Sequence, residues 1–167
     1  GSISGEAAAG VSDAAASSLG SLPAEAAIAA VDGDEAALLS WLDSDGQVNA
    51  TCGVGNASGI TALMYAAQEG HERVIELLLQ RGAEINLQDS KGRTALMLAA
   101  QHGHERLVEL LLQHCAENNQ QSRAGLTALM LAATRNHPAV VRRLLRAGAD
   151  TTARAADGRT ALQFAKG

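Results

Sequence analysis

Five histidines and two cysteines are the residues of this chain whose side chains suit a metal ion or nucleophilic chemistry. Imidazole and thiolate are the usual zinc ligands, and a structural zinc site needs four of them. His114 and Cys115 are adjacent, but no second Cys/His pair accompanies them. His102 and His104 are two residues apart, so we expect them to point in different directions and to make a poor metal pair. We therefore predict no metal site.

Catalytic and cofactor motifs are also missing from the sequence. A Cys–His nucleophile pair stays open on spacing alone, but nothing supplies an oxyanion site or an orienting residue. The phosphate-binding pattern G-x-x-x-x-G-K-[ST] does not occur. The glycines of 53–59 have no lysine after them, and we interpret this run as a flexible loop. We expect no catalytic residues, no cofactor and no enzymatic activity.

Three of the histidines belong to a repeat. They are spaced by 33 residues, and four Thr-Ala-Leu segments recur at the same spacing. The histidines are His71, His104 and His137, and the segments begin at Thr61, Thr94, Thr127 and Thr160. A fixed period in this range indicates a stacked repeat architecture. We therefore interpret the histidines as the first residues of equivalent helices, where they bond to neighbouring loops.

Each unit predicts two helices. A small-residue helix starts at the Thr-Ala-Leu segment and ends at a glycine, and a second helix rich in leucine follows. A single pair of this kind cannot bury its apolar face alone, whereas stacked pairs form a continuous core. The core should include Leu78 and Leu111.

The same register sets the boundaries that we predict. Residues 1–22 are an Ala/Gly/Ser-rich flexible tail in which Gly1 and Ser2 are typical of a tag remnant, and the repeat domain covers 23–167. Within that domain we expect a degenerate first repeat with a long polar loop, three regular repeats and a partial one. These are 23–60, 61–93, 94–126, 127–159 and 160–167.

Charge is distributed unevenly along the chain. The net charge is −5, but the first 60 residues hold eight acids and no Lys or Arg, so the remainder is net positive. No apolar run is long enough to span a membrane, so we expect no direct membrane insertion. Two scattered cysteines favour a reducing compartment. We expect an intracellular protein, cytoplasmic rather than nuclear.

Residues 61–167 resemble the ankyrin repeat family, and residues 23–60 resemble a degenerate N-terminal repeat of it. The family motif is T-P-L-H-x-A, and this chain has T-A-L-M-x-A three times. Gly-His pairs at 70–71 and 103–104 stand in register with the motif. The resemblance implies an all-α solenoid of helix-turn-helix units with β-turn fingers, about four helix pairs plus a C-terminal half repeat. It also implies a non-catalytic protein-protein interaction module.

In the family, finger tips and the ends of first helices line a concave groove, and the resemblance carries that role to matching positions here. The implied partner-binding residues are Tyr65, Gln68, Glu69, Gln88, Ser90, Lys91, Arg93, Leu98, Gln101, His102, Gln121, Arg123, Leu126, Leu131, Thr134, Arg135, Arg154, Asp157 and Arg159. This surface is rich in Lys and Arg, so we expect an acidic protein or peptide partner with apolar anchors. We expect no nucleic acid, because aromatics are not interleaved and the first unit is acidic.

Three further expectations concern single features. The family implies that Asn86 is a possible target of asparagine hydroxylation. The half repeat leaves an apolar end around Leu162 and Phe164, which predicts either further repeats or self-association. An alternative function is a regulatory or docking domain that acts on the catalytic part of a larger enzyme.

The third finger departs from the repeat at two positions. Cys115 stands where the other units have Gly82 and Gly148, and a left-handed conformation there costs about 1 kcal/mol for a residue with a Cβ. Asn118 replaces the apolar Ile85 and needs a hydrogen-bond partner. We predict that this finger is the least stable of the regular ones.

Overall fold

The computed structural model describes residues 20–166. Helices come in antiparallel pairs, and a short hairpin follows the first pair. The elements are α1 (Ala24–Asp32), α2 (Glu35–Asp43), β1 (Thr51–Val54), β2 (Ala57–Thr61), α3 (Ala62–Glu69), α4 (Glu72–Gln80), α5 (Ala95–Gln101), α6 (Glu105–Gln113), α7 (Ala128–Thr134), α8 (Pro138–Arg146) and α9 (Ala161–Ala165). The predicted stack of four helix pairs and one extra first helix is confirmed. The expected tail falls mainly on residues 1–19, which lie outside the described part.

Threonine fixes the start of the repeated first helices. The hydroxyls of Thr61, Thr94 and Thr127 each accept a hydrogen bond from the backbone N–H three residues later, at 3.2–3.3 Å. An N-cap of this kind satisfies a donor that the first helical turn leaves free. The three threonines are buried, so the cap also gives each buried hydroxyl a hydrogen-bond partner.

Alanine lets the first helices approach one another closely. Helices α1, α3, α5, α7 and α9 pack side by side as successive neighbours, and each contributes buried alanines to the shared core. The second helices contribute larger side chains from one face: Leu78, Leu111 and Leu144 have no exposed surface. These residues form one core cluster that extends along the array, as the prediction for Leu78 and Leu111 required.

The segment between α2 and α3 differs from the expected loop. Strands β1 and β2 pair antiparallel, with Thr51 opposite Thr61 and Cys52 opposite Ile60. Ser21 forms a parallel bridge to Thr51, and Leu22 is buried. Residues 20–22, which the sequence placed in the tail, therefore pack against the hairpin. The glycines conceal this pairing in the sequence because they weaken the alternating pattern of a strand.

The third finger carries both departures that the sequence indicated. Cys115 adopts a left-handed conformation with φ of 64°. Asn118 uses its amide nitrogen to reach the carbonyls of Leu144 and Ala147 at 3.2 Å, but its Oδ1 is buried without a partner in the described structure. The relative stability of this finger stays a prediction.

Across residues 20–166, none of the helices is both long enough and apolar enough to span a lipid bilayer.

Candidate functional site

A cleft of about 580 Å³ opens on the side of the array that carries the fingers. Its walls are the hairpin tip, the second finger (the loop between α4 and α5), the third finger (the loop between α6 and α7), and half-buried side chains of α5 and α7. We call it the basic cleft, and its lining residues are Asn56, Ser90, Lys91, Arg93, Gln101, Ser122, Arg123, Ala124, Leu126 and Leu131. The lining brings together seven of the residues that the resemblance implied: Ser90, Lys91, Arg93, Gln101, Arg123, Leu126 and Leu131.

Asn56 was missed by the sequence reasoning. It lies in the two-residue turn between β1 and β2, and only the hairpin brings it to the edge of the cleft. The second and third fingers are held together beneath it, because the backbone N–H of Arg123 donates to the carbonyl of Lys91 at 3.0 Å. In the same way, Ser90 N–H donates to the carbonyl of Ser58 at 2.8 Å. The finger tips therefore form a continuous wall.

The cations of this surface are not equivalent. Nη2 and Nε of Arg93 both pair with Oδ2 of Asp89, at 2.7 Å and 2.8 Å, and the carboxylate is almost completely buried. The other oxygen of Asp89 accepts the backbone N–H groups of Lys91 and Arg93 at 2.9 Å. Arg93 thus compensates a buried charge within the finger. Lys91 and Arg123 are exposed and form no ion pair within residues 20–166.

Arg159 also pairs with a carboxylate of its own finger. Its Nε donates to Asp157 at 2.7 Å, and its guanidinium lies 4.2 Å from the ring centre of Phe164. The backbone N–H and side chain of Arg159 lower the pKa of Asp157. Arg154 donates from Nη1 to the carbonyl of Gly158 at 2.8 Å, although its charge stays exposed.

Two glutamines of the implied surface brace the fingers. Gln88 donates from Nε2 to the carbonyls of Gly92 and Gln121. One repeat later, Gln121 donates to the carbonyls of Gly125 and Arg154, at 2.9 Å and 3.0 Å. Both side chains link one finger to the next, a tertiary role that sequence register alone does not distinguish from partner contact.

Leu98 is not available for partner binding, although the resemblance implied that role. Its side chain is 3% exposed because Ala57, Ile60 and Met64 pack around it. The hairpin supplies two of these residues, so the unpredicted strands explain the burial. Leu98 therefore does not present an apolar anchor, whereas Tyr65 and Leu131 at the equivalent repeat positions remain half-buried.

The other implied residues lie near the C-terminal ends of first helices. Gln68 bonds to Glu69 at 3.2 Å, and Thr134 uses its hydroxyl to bond to the carbonyl of Met130. Arg135 is exposed without an ion pair among residues 20–166. His102 is exposed and bonds through Nδ1 to the carbonyl of Leu98. These residues extend the surface beyond the basic cleft.

The three repeated histidines bond to the backbone of the preceding unit. Nε2 of His71, His104 and His137 lies 2.7–3.0 Å from the carbonyl oxygens of Val31, Gln68 and Gln101. The bonds that we predicted to neighbouring loops are therefore made to the last turns of the preceding first helices. The expectation that His102 and His104 point in different directions is wrong, because their rings stack at 6.2 Å and are 9° from parallel. No group of three or more His, Cys, Asp or Glu side chains within 20–166 has metal-binding geometry.

Asn86 occupies a bracing position between fingers. Its Oδ1 accepts the backbone N–H of Glu117 at 2.8 Å, and Asn49 and Asn119 make the equivalent bonds in their own units. The side chain is half-buried.

The C-terminal end of the array has an apolar cleft of about 380 Å³ between α8 and α9. Leu162 and Leu145 lie at this cleft with exposed fractions of 64% and 43%. In the interior units, the second helix of the next unit covers this face. Leu162 is therefore exposed as the sequence predicted, whereas Phe164 is half-buried with the guanidinium of Arg159 over its ring.

The family model for ankyrin repeats in three copies matches residues 26–122, and the model for ankyrin repeats in many copies matches residues 111–165. No match is found among curated proteins. Ankyrin repeats are generally non-catalytic protein-protein interaction modules. On these matches, and on the stacked helix pairs described above, the chain belongs to the ankyrin-repeat family.

Proposed function

We propose that the chain recruits a partner protein by binding an acidic segment of it in the basic cleft. The observation that supports this proposal is the position of Lys91 and Arg123. Both are exposed on the wall of a cleft, and neither is neutralised by a carboxylate of residues 20–166. Charge on a concave surface steers an oppositely charged partner toward it.

The floor of the basic cleft adds an apolar component. Leu126 and Leu131 are half-buried and line the cleft below the two cations. An acidic peptide that places one apolar side chain on these leucines gains from their burial as well as from charge. Gln101 supplies hydrogen-bonding capacity at the same place. The cleft thus favours an acidic segment with an apolar residue within it.

Selection from a phage-displayed library of random dodecapeptides tests the proposal. Peptides enriched on the wild-type chain should carry an excess of Asp and Glu. The double variant Lys91→Glu/Arg123→Glu should lose these peptides and enrich basic ones instead. Arg106→Glu is the matched control, because Arg106 is exposed on α6 without an ion pair among residues 20–166.

The same experiment defines the contradicting result. If the double variant retains the acidic peptides with unchanged affinity and an unchanged dependence on salt, the basic cleft is not the binding site. Arg93→Glu is unsuitable for this test because it leaves buried Asp89 without its counter-ion, and a loss of binding then reports on folding.

A further inference from the structure

A second cleft, of about 460 Å³, lies at the other end of the finger side, between α1, β1 and α3. We call it the hairpin cleft. Its walls are mainly apolar, and its lining residues are Leu22, Ala24, Ala27, Ile28, Val31, Asp32, Cys52, Gly53, Val54 and Tyr65. Ile28 and Tyr65 stand at equivalent positions of successive first helices, as Leu131 of the basic cleft does, so both clefts lie on the same side of the first helices. The hairpin residues that cover Leu98 lie between them.

Two side chains of the hairpin cleft are unusually exposed for their type. Ile28 is 58% exposed and Val54 is 62% exposed, and they are two of the four large hydrophobic side chains that are exposed within residues 20–166. Both lie at the same opening. A contiguous apolar patch with polar surroundings is typical of an interaction site.

The inner wall of the hairpin cleft includes a hydrogen-bonded pair, Cys52 and Tyr65. Cys52 Sγ and Tyr65 Oη are 3.4 Å apart and satisfy each other's hydrogen-bonding capacity. Burial and this hydrogen bond raise the pKa of Tyr65 to about 12, so the phenol stays neutral. An apolar side chain that enters the cleft therefore does not desolvate an ionised phenol.

The surroundings of the hairpin cleft are acidic. Asp32 lies at the cleft itself, and residues 20–60 contain six acids with no Lys or Arg. Of these acids, only Asp43 forms an ion pair within the described structure, with Arg81 at 2.9 Å. Asp32 is the one charged residue among those that line the hairpin cleft, whereas the basic cleft is lined by Lys91 and Arg123.

We propose that the hairpin cleft is a second subsite of the groove and binds an apolar side chain that has a Lys or Arg beside it in the partner. This inference rests on the proposed function, because it assigns another part of the same bound segment. The apolar walls take the apolar side chain, and Asp32 at the rim attracts the neighbouring cation.

The spacing of the two subsites predicts the layout of the partner. The hairpin cleft lies between α1 and α3, and the basic cleft lies between α5 and α7, two helix spacings away. Packed helices are about 8–10 Å apart, so the subsites are about 16–20 Å apart. An extended chain covers about 3.3 Å per residue. The apolar–basic element should therefore precede or follow the acidic element by about five or six residues.

Residues 1–19 are a competing occupant, since the chain enters the cleft at Leu22. These residues carry Glu6 and Asp13 and no Lys or Arg, so an acidic rim repels them. A basic partner segment fits the charge of the cleft better than the chain's own first residues.

The dodecapeptide selection on the full chain, extended by two variants, tests this inference. Peptides enriched on the wild type should contain an apolar residue beside Lys or Arg, about five or six residues from an acidic cluster. Val54→Lys should lower the affinity of such a synthetic peptide about tenfold or more, while its acidic half alone should bind both proteins equally. Leu145→Lys is the matched control, an exposed leucine outside the groove that receives the same charge.

The outcomes separate the two proposals. Purely acidic peptides whose binding Val54→Lys leaves unchanged would overturn the second subsite and leave the proposed function standing. Apolar–basic peptides without an acidic element would support the subsite and contradict the acidic partner. Failure to enrich any peptide would overturn both. A marked gain in affinity on replacing Ile3, Val11 and Leu19 with serine would show that the chain's own first residues fill the cleft, and would overturn the assigned occupant.

Discussion

The imidazole of His104 lies directly over Gly70. A Cβ on that glycine would stand 2.7 Å from Nδ1 of the ring, and the opposite ring nitrogen, Nε2, lies 2.8 Å from the carbonyl of Gln68. His71 over Gly33 and His137 over Gly103 repeat the arrangement. The close approach of ring and glycine therefore joins each unit to the next, and it explains why Gly and His recur together.

Gly70→Ala should destabilise the protein by two separable effects. The left-handed conformation of Gly70, with φ of 82°, costs about 1 kcal/mol for alanine. The contact with His104 should add about 1–3 kcal/mol, as overpacking in a core does. Gly82→Ala is the control, because its φ is 87° and its Cβ would meet nothing within 4 Å. Equal losses in urea unfolding for both variants would show that the imidazole does not restrict this position.

Cys115→Gly should stabilise the protein by about 1 kcal/mol, because glycine removes the cost of a left-handed backbone. For a chain of this size that corresponds to a rise of about 2–4 °C in melting temperature. Asn136→Gly is the comparison: its φ is 57°, but asparagine tolerates this conformation, so the gain should be smaller. A lower melting temperature for Cys115→Gly would contradict the strain at Cys115.

Leu111→Ala should cost about 2–5 kcal/mol of unfolding free energy, because the side chain is completely buried and its removal leaves a cavity between units. Leu145→Ala removes the same atoms from a side chain that is 43% exposed, and should cost much less. Denaturant titration of both variants measures the difference. Similar losses for the two leucines would mean that the stacked core is not the main source of stability.

Tyr65 should make stability depend on pH in the alkaline range. Its pKa is raised from 10.0 to about 12, first by burial and then by the hydrogen bond with Cys52. The folded state retains the proton that the unfolded state loses, so the contribution of Tyr65 is full below pH 10 and is lost as the pH rises toward 12.

Tyr65 is the only tyrosine in the chain, so ultraviolet absorbance of the phenolate reports its ionisation directly. The midpoint should lie near 12, and Cys52→Ala should lower it toward 10. Trp41 fluorescence over the same range shows whether the chain is still folded. A wild-type midpoint near 10 in the folded protein would contradict both the burial of Tyr65 and its contact with Cys52.

Much of the fold was predictable because the same helix caps and packing contacts are made in each regular unit. Thr61 caps the first helix of its unit, and His104 packs on Gly70 of the neighbouring unit. Because each regular unit needs these contacts, the residues recur at a fixed spacing in the sequence. The hairpin produced no repeated pattern in the sequence, because it occurs in one unit and its glycines interrupt the alternation of a strand. The burial of Leu98 was consequently not predictable from register.

The candidate site was predictable in position and less so in detail. The family resemblance, carried over in the repeat register, predicted that Lys91, Arg123 and Leu131 share one surface, and all three line one cleft. Whether a cation is free depends on side-chain geometry, however, and Arg93 has the same register as its neighbours while compensating Asp89. Asn56 belongs to the site only because the hairpin extends to it.

Nuclear magnetic resonance titration locates the binding surface most directly. An acidic peptide from the library selection, added to the isotope-labelled chain, should shift the amide signals of Lys91, Arg123, Leu126 and Leu131 in one saturable transition. Signals from the second helices α4, α6 and α8 should stay unchanged. Shifts confined to those second helices, with the cleft signals unaffected, would contradict binding in the groove.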